Sequence, residues 1–283
     1  MKIAALCSCV PLLVAANAYA DDTTEQGPRR QLTLRPLEDA ADAKPKDARV
    51  TAEERPFLYT VDPTTPSRGA FSTEYTAGLA SGVAAERPLP QTVGAEGLVH
   101  SITLGVGITD RIAPFVTGRV LQPVEQDRKS AGGGAAGLRF QLTPPASSFR
   151  LTLLAAGQRE FGGTLGAWGR VAASYDVDRV RMAANLHGEK AFAKGRDEVD
   201  VMATAGASYR ALDGVRFGVE YVGQELEGAV EKEEVEGGIR HFAGPTVALD
   251  LDRGRFQLVA GPAFGLNQQS ANLLGRVSAL MSF

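Results

Sequence analysis

From Gly69 to the carboxyl terminus, the sequence alternates between apolar and polar residues with a period of two. Between residues 214 and 226, for example, Phe217 and Val219 fall on one face and Glu220 falls on the other. Successive side chains of a β-strand point to opposite faces, so this period is that of strands with one apolar face. Because the pattern recurs along the whole stretch, the chain is predicted to be all-β.

Turn residues divide this stretch into twelve predicted strands, most of them about ten residues long. They span 69–80, 97–108, 111–122, 133–143, 149–159, 164–176, 179–190, 199–211, 214–226, 237–250, 255–266 and 272–283. Strands of this length suit a tilted crossing of a membrane.

The connections between the predicted strands alternate between tight and long. The tight connections are 109–110, 144–148, 176–178, 212–214 and 252–254, and the long ones are 81–96, 122–133, 158–163, 188–198, 225–238 and 267–273. All short turns therefore fall at one end of the sheet, and an even strand number places both chain termini at that same end. A soluble sandwich has no reason to sort its turns in this way.

The last predicted strand keeps its alternation up to the final residue, Phe283. With these features, residues 69–283 resemble bacterial outer-membrane β-barrel proteins, at the level of architecture. The resemblance implies a closed antiparallel barrel of about 12 strands in the outer membrane of a Gram-negative envelope, in contact with membrane lipid and lipopolysaccharide. It also implies that the barrel-assembly machinery recognises the terminal apolar residues Phe283, Met281, Val277 and Leu273.

The amino-terminal segments have a different composition. Residues 1–20 carry Lys2, a short apolar run and Ala-Tyr-Ala before Asp21, which is typical of a cleaved signal peptide. Both cysteines, Cys7 and Cys9, lie in this segment, so the exported chain is predicted to contain no disulfide. Residues 21–68 are charged and rich in proline and are predicted to form a flexible periplasmic tail. Within that tail, the apolar run 57–61 is a candidate for pairing or docking. A periplasmic contact or a plug is the functional alternative to a plain linker, which the composition favours.

If the apolar phase of the strands faces lipid, the opposite phase faces the lumen. Almost no charge falls in the lipid phase, where an Arg or Lys at mid-depth costs about 2–4 kcal/mol. The lumen charges nearest mid-height are the candidate selectivity residues: Glu74, Arg119, Arg139, Arg170, Glu220 and Arg276. Two interpretations stay open, namely ion pairs within the wall, such as Glu74 with Arg276, and an anion-favouring field. Four further arginines lie beside tight turns and are expected to be solvated charges at the rim: Arg150, Arg181, Arg210 and Arg216.

No catalytic site is predicted. The three histidines, His100, His187 and His241, are not placed with a serine in a nucleophilic pair, and no zinc-binding histidine pair or hydrolase motif occurs. We therefore expect no enzymatic activity, no cofactor and no metal site. The net charge of −3 gives no support to a nucleic-acid partner.

The sequence thus favours a porin-like transport protein, a narrow passive channel for small polar or anionic solutes. The alternative is a non-conducting barrel with a structural, adhesion or partner-docking role through its outer loops. Twelve strands lie between the filled barrels of eight strands and the open channels of sixteen, so size alone does not separate the two hypotheses.

Overall fold

The computed structural model describes residues 55–81, 97–123, 130–194, 199–229, 238–251 and 255–283. The predicted signal peptide and the predicted tail up to residue 54 lie outside the described residues, as do most of the loop 225–238 and the turn 252–254. Within the described ranges, no helix is long and apolar enough to cross a membrane. Leu226–Ala229 forms one turn of 3-10 helix after the ninth strand.

Twelve antiparallel strands form a closed barrel, which confirms the predicted fold class. The strands are β1 (Phe71–Ser81), β2 (Gly97–Val106), β3 (Ile112–Pro123), β4 (Ala131–Gln141), β5 (Phe149–Glu160), β6 (Leu165–Val177), β7 (Val180–Phe192), β8 (Asp200–Leu212), β9 (Val215–Gln224), β10 (Arg240–Leu251), β11 (Phe256–Gly265) and β12 (Leu273–Ser282). Each strand pairs with its neighbours in sequence, and β12 returns to pair with β1.

The seam between β1 and β12 closes the barrel up to the last residue. The register runs from Ser72 opposite Ser282 to Ser81 opposite Leu273. Beyond the strand, the backbone N–H of Phe71 donates to the carbonyl of Phe283 at 3.1 Å, and that of Phe283 donates back at 2.9 Å. Closure leaves no strand edge unpaired, as a lipid environment requires.

Large apolar side chains cover the outer face, in the phase that the sequence predicts. Leu138 and Leu186 are each 55% exposed, although both lie within strands. Of the four predicted assembly-signal residues, Val277, Met281 and Phe283 are exposed and Leu273 is half-buried. Their orientation fits contact with lipid, and their part in assembly stays a prediction.

Aromatic residues encircle the barrel at its short-turn end. The members of this ring are Phe71, Phe140, Phe149, Tyr175, Tyr209, Phe217 and Phe283, all of them exposed. Aromatic girdles of this kind mark the interfaces of the apolar band in outer-membrane barrels. The rings of Phe71 and Phe283 meet at the seam with centroids 6.3 Å apart.

Residues 55–68, which we call the inner segment, lie inside the barrel. Their side chains include the buried Phe57, Leu58, Tyr59, Thr60 and Asp62. This differs from the expectation of a flexible tail that extends to residue 68, and agrees with the docking alternative for 57–61. The physical reason is that wall side chains of the barrel bind the segment's backbone and its one carboxylate. Gly69, with φ of 79°, and Ala70 connect the inner segment to β1.

Candidate functional site

The inner segment forms an arch in the short-turn half of the lumen. It begins beside β11, where the N–H of Arg55 donates to Oε1 of Gln257 at 3.0 Å. It reaches mid-height beside Glu220 on β9 and returns to the short-turn end, where the N–H of Arg68 donates to Oδ1 of Asp110 at 3.1 Å. The arch therefore crosses the lumen of the barrel.

Glu220 binds the top of the arch. Its carboxylate accepts hydrogen bonds from the backbone N–H groups of Leu58 at 3.1 Å and Tyr59 at 2.7 Å, and from that of Thr60. Glu220 is only 4% exposed. Three backbone N–H groups of the inner segment donate to this one side chain, so this predicted lumen residue is a docking group for the inner segment.

Asp62 fixes the descending limb of the arch, which is the part of the inner segment that returns from Glu220 to the short-turn end. It is fully buried, and its Oδ2 lies 2.9 Å from Nη1 of Arg181, with Nη1 of Arg150 at 3.9 Å from Oδ1. Burial alone would raise the pKa of Asp62, but Arg181, the hydrogen bonds from Thr64 and Arg150 outweigh it and hold the pKa below its usual range. Arg150 and Arg181 also bind Asp176, so they are not the solvated rim charges that the sequence predicted. Arg216, of which the same was predicted, is buried as well.

Further polar contacts attach the descending limb to the wall of β4 and β5. Arg139 donates from Nη1 to the carbonyl of Thr64 at 2.6 Å, and Gln141 accepts from the N–H of Thr65 at 3.1 Å. The hydroxyl of Thr152 donates to the carbonyl of Pro63. The backbone of the inner segment is thus hydrogen-bonded to the wall where it has no strand partner.

The first part of the inner segment, which runs from the short-turn end up to Glu220, is held by the packing of an aromatic ring against the wall. The ring of Phe57 packs on Gly206 of β8, and a Cβ atom at position 206 would lie 2.6 Å from that ring. A glycine that faces the lumen leaves space inside the barrel wall. In the structure, Phe57 occupies the space that this glycine leaves.

The predicted ion pair between Glu74 and Arg276 is not formed. In the seam register Glu74 lies opposite Leu280, and Arg276 lies opposite Gly78, so the two are four residues apart along the strands. Glu74 instead binds Arg55 of the inner segment, with Nη1 to Oε2 at 2.6 Å. The guanidinium of Arg276 lies 5.1 Å from the ring centroid of Tyr59.

A cavity of about 120 Å³ remains between the inner segment and the wall of β1–β6 and β12. Four arginines from four different strands line it, and we call them the arginine cluster: Arg119, Arg139, Arg170 and Arg276. Glu74 also lines this cavity, so five of the six predicted lumen residues meet there, and Glu220 binds the far side of the inner segment. The structure brings the predicted residues together, and their role in selectivity stays a prediction.

Sequence reasoning missed the inner segment's own contribution to this site. Arg55, Tyr59 and Asp62 all line the cavity, yet they lie in the stretch predicted to be a tail. The one available signal was the apolar run 57–61 within an otherwise charged stretch. Among the residues that the structure describes, no group of three His, Cys, Asp or Glu side chains is placed to hold a metal ion.

Comparisons with known proteins identify the fold. No family model matches the chain, and no curated protein matches its sequence. The solved structure of an outer membrane channel from Pseudomonas putida F1 matches with a TM-score of 0.54 and 9% identity, over 82% of this chain and 100% of that one. The NanC porin matches with a TM-score of 0.53 and 6% identity, over 74% and 98% of the two chains.

A third match is the KdgM porin, solved in complex with disordered oligogalacturonate. It has a TM-score of 0.51 and 9% identity and covers 75% of this chain and 99% of that one. At such low identity these matches establish the architecture, which is that of outer-membrane β-barrel proteins.

Proposed function

We propose that the protein is a narrow passive channel for small anionic solutes in the outer membrane, with the inner segment closing the short-turn half of its lumen. The arginine cluster is the observation that carries this proposal. The four arginines of the cluster and Arg55 line one cavity. The two carboxylates that line it, Glu74 and Asp62, are bound to Arg55 and Arg181.

The sign of the charge in the lumen follows from the chemistry of arginine. A guanidinium keeps its proton at any physiological pH, and rings of arginine in a pore favour anions. Low-dielectric walls focus this field and raise the local anion concentration. The net charge of −3 of the whole chain does not oppose this, because the charges that matter line the passage.

The solved barrels of similar fold support a channel. Three of them are porins or channels by name, and one of these was solved with an oligogalacturonate. A passive channel requires no catalytic group, so we also propose that the protein is not an enzyme.

The direct test is the reversal potential of the refolded full-length protein in planar bilayers under a salt gradient. We expect anion preference in the wild type. The double variant Arg139→Gln and Arg170→Gln should lose most of that preference, and its reversal potential should move toward zero.

Arg159→Gln is the matched control, because Arg159 lies on the outer face at the long-loop end of β5 and carries the same charge. Its reversal potential should equal that of the wild type. Cation preference in the wild type would contradict the anionic assignment.

A second candidate function is a non-conducting barrel with a structural, adhesion or docking role. The observation that favours it is the burial of the inner segment, which occupies the short-turn half of the lumen. A correctly folded barrel without conductance, both as wild type and as Asp62→Asn, would select this candidate over the channel.

A further inference from the structure

The two residues of β6 that line the cavity each have a buried hydrogen-bond donor without a partner among the described residues. These donors are Nε1 of Trp168 and Nε of Arg170. The side chains are 5% and 8% exposed. Both residues lie on β6 two positions apart, so they point to the same face of the strand, and both line the cavity.

Such donors are uncommon in folded proteins, because a buried N–H without an acceptor loses its hydrogen bonds to water and receives none in return. The two donors also belong to one structural unit, since the guanidinium of Arg170 lies 5.7 Å from the ring centroid of Trp168. An acceptor placed in the cavity beside this pair would serve both.

We propose that this corner of the cavity is a binding site for a small carboxylate. The site uses part of the arginine cluster and rests on the proposed channel function, because the ligand reaches it through the lumen. A carboxylate offers two acceptor oxygens, which suit a guanidinium and a neighbouring N–H donor. Arg276, which lines the same cavity, adds a second positive charge.

The other walls of the cavity include apolar side chains, which suit a ligand with a carbon chain better than an inorganic ion. Phe115 and Leu154 line the cavity, and Phe115 packs against Trp168 with ring centroids 5.6 Å apart. These apolar surfaces match a short carbon chain. The volume of about 120 Å³ accommodates such a chain, since one water needs only about 10–15 Å³.

The inner segment completes the site. Tyr59 and Thr60 line the cavity on the side opposite β6, and the ring of Tyr59 lies against Arg276. The ligand would therefore be held between the barrel wall and the docked segment.

Trp168 is the single tryptophan of the chain, so its fluorescence reports on this site alone. We expect titration of the refolded full-length barrel with propionate, at constant ionic strength, to give a saturable change in emission. Propionamide has the same shape without the charge and should give none. Arg170→Gln and Arg276→Gln should each weaken propionate binding at least tenfold, whereas Arg159→Gln, on the outer face, should leave it unchanged.

An equal response to propionamide, or unchanged affinity in both cavity variants, would overturn the site. A response to inorganic phosphate with none to propionate would overturn the assignment to a carboxylate. Arg170 lies against the indole of Trp168, so its replacement can change the fluorescence of the unliganded protein. Arg276 lies against Tyr59 instead, so the emission of its unliganded variant stays comparable with that of the wild type. Propionate binding without conductance would contradict the channel function and support the carboxylate site. Anion-selective conductance without propionate binding would support the channel function and contradict the carboxylate site.

Discussion

Gly206 lets the ring of Phe57 occupy the lumen, because it has no side chain of its own. It lies in the lumen phase of β8, where the sequence gives a polar face with Thr204 and Ser208 as its neighbours. Only the absence of a Cβ allows Phe57 to pack there. The phase of Gly206 could be predicted from the alternation, but its partner could not, because no local pattern connects residue 57 with residue 206.

We predict that Gly206→Val expels the ring of Phe57 and favours the open barrel. Forcing extra carbon atoms into a packed site costs about 1–3 kcal/mol, which shifts an equilibrium by about 5- to 150-fold. The measurement is the open probability of single channels.

Gly157→Val is the control, because Gly157 lies on the exposed face of β5 and a Cβ there meets nothing within 4 Å. Wild-type gating in the Gly206 variant would show that Phe57 does not hold the inner segment in place.

The inner segment is the element whose structure the sequence predicted least well. The strands were predictable because their signal is local, with a period of two and a turn at each end. The contacts of the inner segment join residues far apart in the chain, such as Asp62 with Arg181 and Tyr59 with Glu220. A charged, proline-rich composition indicates a tail when such partners are not known.

The ion pairs of Asp62 predict that acid releases the inner segment. Docking lowers the pKa of this carboxyl below its usual value of 3.8, so the charged form stabilises the docked state. That stabilisation is complete above the usual pKa and is lost as the pH falls through the lower pKa of the docked state. We expect the open probability to rise as the pH is lowered below about 4.

Asp62→Asn should show the raised open probability already at neutral pH, with a smaller further rise in acid. Asp178→Asn is the control, because Asp178 lies exposed in the tight turn after β6 and the change is chemically the same. If wild-type conductance does not change between neutral pH and pH 3, then Asp62 does not hold the segment docked.

For the molecule as a whole, the seam that closes the barrel extends to the last residue of the chain. Phe283 pairs through its backbone with Phe71 and contacts its ring, so the first and last residues of the barrel meet in the aromatic ring at the short-turn end. Strand number, pairing order and closure were all predictable from the connections and the terminal alternation. The cavity was not, because its shape depends on where the inner segment lies.

We predict that deletion of Phe283 sharply reduces the amount of barrel in the outer membrane of cells. The deletion removes two backbone hydrogen bonds at the seam and the terminal apolar side chain. The measurement is the amount of the heat-modifiable, folded form in isolated membranes.

Phe161→Ala is the control, because Phe161 is also strongly exposed but lies in a connection at the long-loop end. Membrane levels equal to wild type after the deletion would count against a role of Phe283 in assembly.

The covalent link through Gly69 and Ala70 has a consequence for how the barrel recloses. The inner segment cannot diffuse away once it leaves the lumen, so its return is an intramolecular step. For a short connection the effective concentration is of the order of millimolar, whatever the number of barrels in the membrane. A free peptide with the sequence of residues 55–68 would therefore compete poorly at micromolar concentrations, and each barrel would reclose at a rate independent of its neighbours.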